Sequence, residues 1–151
     1  MSAALAQSPA SRPEPATVAS GPPEAEITFP QGLPGFPGAL GFRLEPLQGR
    51  FLRLGCTTAG GPTFIVLQPA EASTLVTDED VAGACAASGL DPAAVVALFV
   101  VTVANAPGGA RLTVNRRAPM LVDLQRRIAF QLVLPRPDYA VRYPLVAPTA
   151  A

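Results

Sequence analysis

The stretch RLTVNRRAPMLVDLQRRIAFQLVLPRPDYAVRYPL, residues 111–145, decides how the chain reads, because strand patterning, tight turns and most of the positive charge fall together in it. A first apolar run, residues 112–114, approaches a polar corner, Asn115-Arg116-Arg117-Ala118-Pro119. A second, residues 120–124, leaves it, and a third, residues 128–134, follows the charged turn Gln125-Arg126-Arg127. Short runs separated by such turns predict three strands in an antiparallel meander. Pro119 stands at the start of its run, where a missing N–H costs a ladder least.

Upstream, the chain supplies partners for these strands. Residues 95–104, VVALFVVTVA, are rich in Val with a central Phe and flanked by turn residues, which predicts a buried central strand returning through Ala106-Pro107-Gly108-Gly109. Before it lies the one clear helical signal. Thr77 offers a capping hydroxyl, Asp78-Glu79-Asp80 place negative charge at the positive end of the helix dipole, and Val81, Ala84, Cys85 and Ser88 recur at helical spacing before Gly89 stops the run. Asp91-Pro92 repeats the capping pattern for one further turn. Residues 63–68 form another strand, and residues 42–47 and 51–57 a hairpin about Gln48-Gly49, with Leu52, Leu54 and Cys56 on one face. Residues 27–29 open the sheet. Between them and the hairpin, QGLPGFPG at 31–38 predicts a compact loop holding Leu33 and Phe36 inward, either as the plug of a small barrel or as the apolar lip of a partner surface.

Residues 1–25 carry almost no large apolar side chain and are crowded with Pro, Ala and Ser, so a disordered tail is expected there, followed by one domain over residues 26–146 and a flexible end at 147–151. With about eight strands and one helix, the expected class is mainly β: a small antiparallel barrel-like or sandwich domain with one short helix.

Composition removes several functions. There is no histidine, so the commonest general base and metal ligand is missing. Neither a nucleophile elbow nor a phosphate loop occurs, and the acids are scattered apart from the helix first turn; no enzyme, cofactor or metal is expected. Cys56 and Cys85 lie 29 positions apart without metal-binding spacing and read as free thiols. No secretory leader and no run of about 18 apolar residues is present, which predicts a soluble, cytoplasmic protein without membrane contact. All 11 basic residues are arginine, and from Arg111 onward seven arginines face two acids, leaving this third at +5 and the remainder at −5. Such arginines serve as solvated turn charges, as a protein-binding face, or as a surface for RNA phosphates.

The landmarks GLPGF, FRLEPL, FLRLGCT, TFIVLQP, TVNRRAP, IAFQLVL and DYAVRYPL occur in order from residue 27 to residue 145, and in that order and spacing the chain resembles the flagellar assembly factor FliW. The resemblance implies a non-enzymatic regulator with a small antiparallel barrel-like fold that binds flagellin in the cytoplasm and antagonises CsrA, an RNA-binding translational repressor. CsrA must be basic to hold RNA, so a docking face for it is expected among Glu71 and Asp78–Asp80. For partner binding the expected residues are Leu33 and Phe36 in the loop, Asn115, Arg116, Arg117 and Pro119 at the corner, and Gln131 in the following strand. A direct RNA-binding regulator using the C-terminal arginines is the competing expectation.

Overall fold

Twelve consecutive residues without Gly or Pro, Val95–Ala106, form the longest strand, and the rest of the sheet is arranged on its two edges. The computed structural model describes residues 24–145. In chain order its elements are β1 (Ala25–Thr28), β2 (Gly41–Pro46), β3 (Phe51–Cys56), β4 (Thr63–Leu67), α1 (Asp78–Ser88), β5 (Val95–Ala106), β6 (Gly109–Val114), β7 (Met120–Asp123), β8 (Ile128–Gln131) and the two-residue β9 (Tyr143–Pro144). The last residue of the expected tail, Ala25, is already in the sheet opposite Leu44. Residues 1–23 and 147–151, where a tail and a flexible end were expected, lie outside the described residues.

The strand order β4-β3-β2-β1-β8-β7-β5 closes on itself through β4 and β5, making a seven-stranded barrel and excluding the sandwich. Every pairing is antiparallel except one: β1 meets β8 in parallel at Thr28 and Ile128. Closure leaves fewer open edges.

Only the second half of the expected meander forms, β7 pairing antiparallel with β8 from Met120 opposite Gln131 to Asp123 opposite Ile128. β6 and β7 never pair with each other; both run antiparallel along the same edge of β5, with Val114 opposite Val101 and Met120 opposite Leu98. Three steps along β5 therefore face six along its partner, and the corner at Asn115–Pro119 is the surplus, pushed out of one long interrupted strand as a bulge. Sequence punctuation marked the interruption. It could not distinguish a bulge from a reversal of direction.

Burial on both faces explains why β5 and β7 lack alternation. Leu98, Met120 and Val122 point into the barrel with Ile27, Phe29, Phe42, Leu44, Leu54 and Val66. Ala97, Phe99, Val101 and Leu121 point outward into a second core beneath α1, where they meet Leu75, Val76, Ala84, Cys85 and Leu134. Phe99 is fully buried, and truncating such a ring to Ala costs roughly 3–5 kcal/mol.

The helix follows its signals. Thr77 Oγ1 accepts from the Asp80 amide at 3.0 Å, and Gly89 ends α1 at φ 77°, a left-handed position a side chain would strain. Asp91 caps the short 3-10 turn before β5 by accepting from the Ala93 amide. Both cysteines are free thiols, Cys85 buried and Cys56 half-buried. Among the described residues no helix is long and apolar enough to cross a membrane.

Candidate functional site

At the corner the amide-bearing side chain does the folding. Asn115 Oδ1 accepts from the amides of Arg117 at 3.0 Å and Ala118 at 3.2 Å, closing a turn of the kind Asn favours. That turn throws the two arginines toward the second core. Arg116 Nε donates to the Leu75 carbonyl at 2.7 Å, and its guanidinium lies 4.6 Å and 4.7 Å from the ring centres of Tyr139 and Tyr143. Arg117 donates to the carbonyls of Tyr139 at 3.1 Å and Pro137 at 2.7 Å. Pro119 is buried, and its carbonyl accepts from the Leu132 amide. Neither arginine is a purely solvated turn charge: both donate to carbonyls that no strand pairs.

The same segment is locked to α1 from the other side. The Tyr139 hydroxyl donates to Asp80 Oδ2 at 2.6 Å and accepts from the Thr77 amide at 3.1 Å, and Arg136 bridges Asp80 and Asp138 at 2.9 Å and 3.0 Å. Tyr139 above all, then the Thr77 hydroxyl and Arg136, hold the Asp80 carboxyl below its ordinary range. Arg136 does the same to Asp138, and Asp138 in turn raises Arg136. Three of the seven C-terminal arginines, 116, 117 and 136, are thus committed to contacts within the protein. An RNA surface built on the whole set loses its geometry.

The loop of residues 31–38 behaves half as expected. Leu33 is buried, but Phe36 is 42% exposed and meets Phe64 edge-on at 5.8 Å. Gly32 sits at φ 70°, and a Cβ there would stand 2.7 Å from the Pro37 carbonyl oxygen, so only glycine lets the loop fold back on itself. The loop and β8 border a cleft of about 340 Å³, with Gln131 on its wall. Gln131 Nε2 also donates to the Ala118 carbonyl at 3.0 Å, joining loop and corner. Leu33, Gln131 and the Asn115–Pro119 corner are therefore neighbours, while the Phe36 ring turns to Phe64. The arginines of that corner face away from the cleft, toward α1.

A larger feature carried no sequence signal strong enough to single it out. On the outer face of β2, β3, β4, β5 and β6, an apolar groove of about 510 Å³ runs from Pro46 and Leu47 past Phe51, Ile65 and Val101 to Val103 and Leu112. It is the uncovered continuation of the second core: Phe51 and Leu112 pack against that core from one side, while Leu47 and Val103 are 50% exposed and Ile65 36%. The available hint was apolar residues at outward positions of β4, β5 and β6, where a solvated face would carry polar ones. A smaller groove of about 330 Å³ follows α1, bordered by Glu79, Asp80, Gly83 and Ala87 on one side and by Val133, 67% exposed, on the other. Elsewhere the outer face is charged, with Arg43 paired to Glu24, Glu26 and Glu45, and Arg53 to Glu45. Among the described residues no three of His, Cys, Asp or Glu gather as a metal site would require.

Comparison with known proteins follows the same outline. The profile of the FliW protein family matches residues 15–145. A flagellar assembly factor FliW of Carboxydothermus hydrogenoformans is 33% identical over 129 residues, spanning 81% of this chain and 80% of that one. A crystal structure of the flagellar assembly factor FliW superposes with a TM-score of 0.60 over 79% of this chain and 84% of the other, at 21% identity, a likeness of fold.

Proposed function

This chain belongs to the FliW family of flagellar assembly factors, and from that premise we propose that it is a cytoplasmic regulator that binds flagellin and antagonises the translational repressor CsrA. The observation that carries the reading is the outer groove. A subunit destined for assembly carries apolar, self-associating surface, and a protein that holds it beforehand must offer apolar area rimmed by polar groups. Leu47, Ile65 and Val103 are large, exposed and contiguous across a groove of about 510 Å³. Isolated exposed apolar residues need no explanation, but a contiguous patch marks an interaction surface.

The antagonism of CsrA finds support in charge. A protein that holds RNA is basic, and the groove along α1 sets the exposed acid Glu79 beside exposed Val133. Calorimetric titration of the protein with flagellin and with CsrA from the same cell, singly and in competition, tests both halves. The expected result is binding to each, with one partner expelling the other. Absence of flagellin binding overturns the reading.

A further inference from the structure

The groove borders an open sheet edge, and the two together specify the shape of what binds. Val100 directs its carbonyl toward the β6 side of β5, where it accepts from the Asn115 amide. Backbone groups alternate sides along a strand, so Thr102 and Ala104 bond toward β6, while Phe99, Val101, Val103 and Asn105 present their N–H and C=O to the opposite edge. There β4 satisfies only the first two: Leu67 pairs with Phe99 and Ile65 with Val101, and then the strands part. Thr63, next in line to meet Val103, keeps its pairing with Gly55 on the β3 side of β4 but has no partner on β5. Residues 102–105 are exposed, and residues 101–106, VTVANA, contain none of the charges or prolines that usually blunt an edge.

We propose that the open edge of β5 at Val103 and Asn105 accepts an added β-strand from an extended segment of the partner, whose alternate apolar side chains fill the outer groove. Unpaired N–H and C=O groups select an extended backbone over a helix, since a helix has already spent its own. Side chains on one face of the added strand point the same way as Val103 and so reach the groove between Ile65 and Leu47. A second copy of this chain fits less well: antiparallel self-pairing of the edge about Ala104 would set Asn105 opposite Val103 and leave the groove without apolar filling. Arg50, between the groove residues Gln48 and Phe51, is exposed and has no ion-pair partner among the described residues, so an acid at one end of the incoming segment is favoured.

This inference rests on the reading that the groove holds flagellin, and the test separates the two. Amide hydrogen exchange is followed by NMR on the full-length protein, free and saturated with monomeric flagellin. The expected result is that the amides of Val103 and Asn105 slow at least about tenfold in the complex, while those of Thr102 and Ala104, already bonded to β6, change little. Val103→Pro removes one edge N–H without touching the β6 ladder and should weaken flagellin by about tenfold or more at unchanged melting temperature. Flagellin bound with both amides still exchanging freely overturns the added strand and leaves the binding reading intact. No flagellin binding overturns both. Protection already present in the free protein, growing with its concentration, would assign the edge to a second copy and overturn the proposal.

Discussion

The arginine corner and the outer groove invert what their sequences advertise. Asn115–Pro119 carries two adjacent charges and looks made for a partner, yet its donors are used inside the protein, on Leu75, Tyr139 and Pro137. The groove is built from residues that any strand of a buried sheet could contain, and it leaves Leu47, Ile65 and Val103 in water. A bulge explains the first. Expelling three surplus residues from the strand beside β5 brings Arg116 and Arg117 to Leu75, Pro137 and Tyr139, whose carbonyls no strand pairs, and arginine, with donors on a long stem, reaches them. Incomplete cover explains the second: α1 and the segment after β8 roof one part of the outer face, meet β6 only along its far edge at Thr113 and Val114, and leave Ile65 and Val103 uncovered. A charge with all its partners is structure, and apolar area with none is a candidate interface.

Substitutions can break this contrast. Arg116→Glu has the largest expected effect on stability, since it removes a charge-assisted hydrogen bond and two aromatic stacks and places an anion against a carbonyl. A loss of about 3 kcal/mol, read by chemical denaturation, is expected, and a fully stable variant would return the corner to the surface. Tyr139→Phe comes next, at about 2 kcal/mol, because the Thr77 amide loses its acceptor and Asp80 loses a donor. It also changes the acid limb. Asp80 has a depressed folded-state pKa, so its contribution is present above the ordinary carboxylate range and is lost as pH falls through the folded value. Without its main cause, the variant should lose stability less steeply than wild type below about pH 4. Asn115→Ala, which opens the turn at the corner, should cost about 1–2 kcal/mol. Val103→Ser closes the series: on an exposed ribbon it should shift stability by no more than about 0.5 kcal/mol and yet weaken flagellin.

Much of the fold was legible because local chemistry and tertiary structure agree. Thr77 and Gly89 bound the helix as expected, Gln48-Gly49 lies in the β2–β3 turn, and the apolar run of residues 95–101 is the doubly buried half of β5, whereas residues 102–104, expected buried with it, are exposed. The meander failed at its first connection, β6 to β7, because direction after a corner is set by which edge of β5 is free, a property no single segment contains. Phe36 was expected inward with Leu33, but only Leu33 enters the core, while Phe36 stays 42% exposed against the edge of Phe64. Neighbourhood at the candidate site was partly readable: the loop, Gln131 and the corner do meet. That Arg116 turns toward Tyr139 and Tyr143 depends on residues more than twenty positions downstream, and the groove draws on five strands, so neither could be found by reading along the chain.

The most direct test sets the two regions against each other in one binding titration with monomeric flagellin, under conditions where every variant is folded. Leu47→Ser with Val103→Ser alters the groove, and Asn115→Ala alters the corner. The groove pair should weaken flagellin by about tenfold or more while the corner variant stays within about twofold of wild type. Unchanged affinity for the groove pair, with a large loss at the corner, would contradict the account.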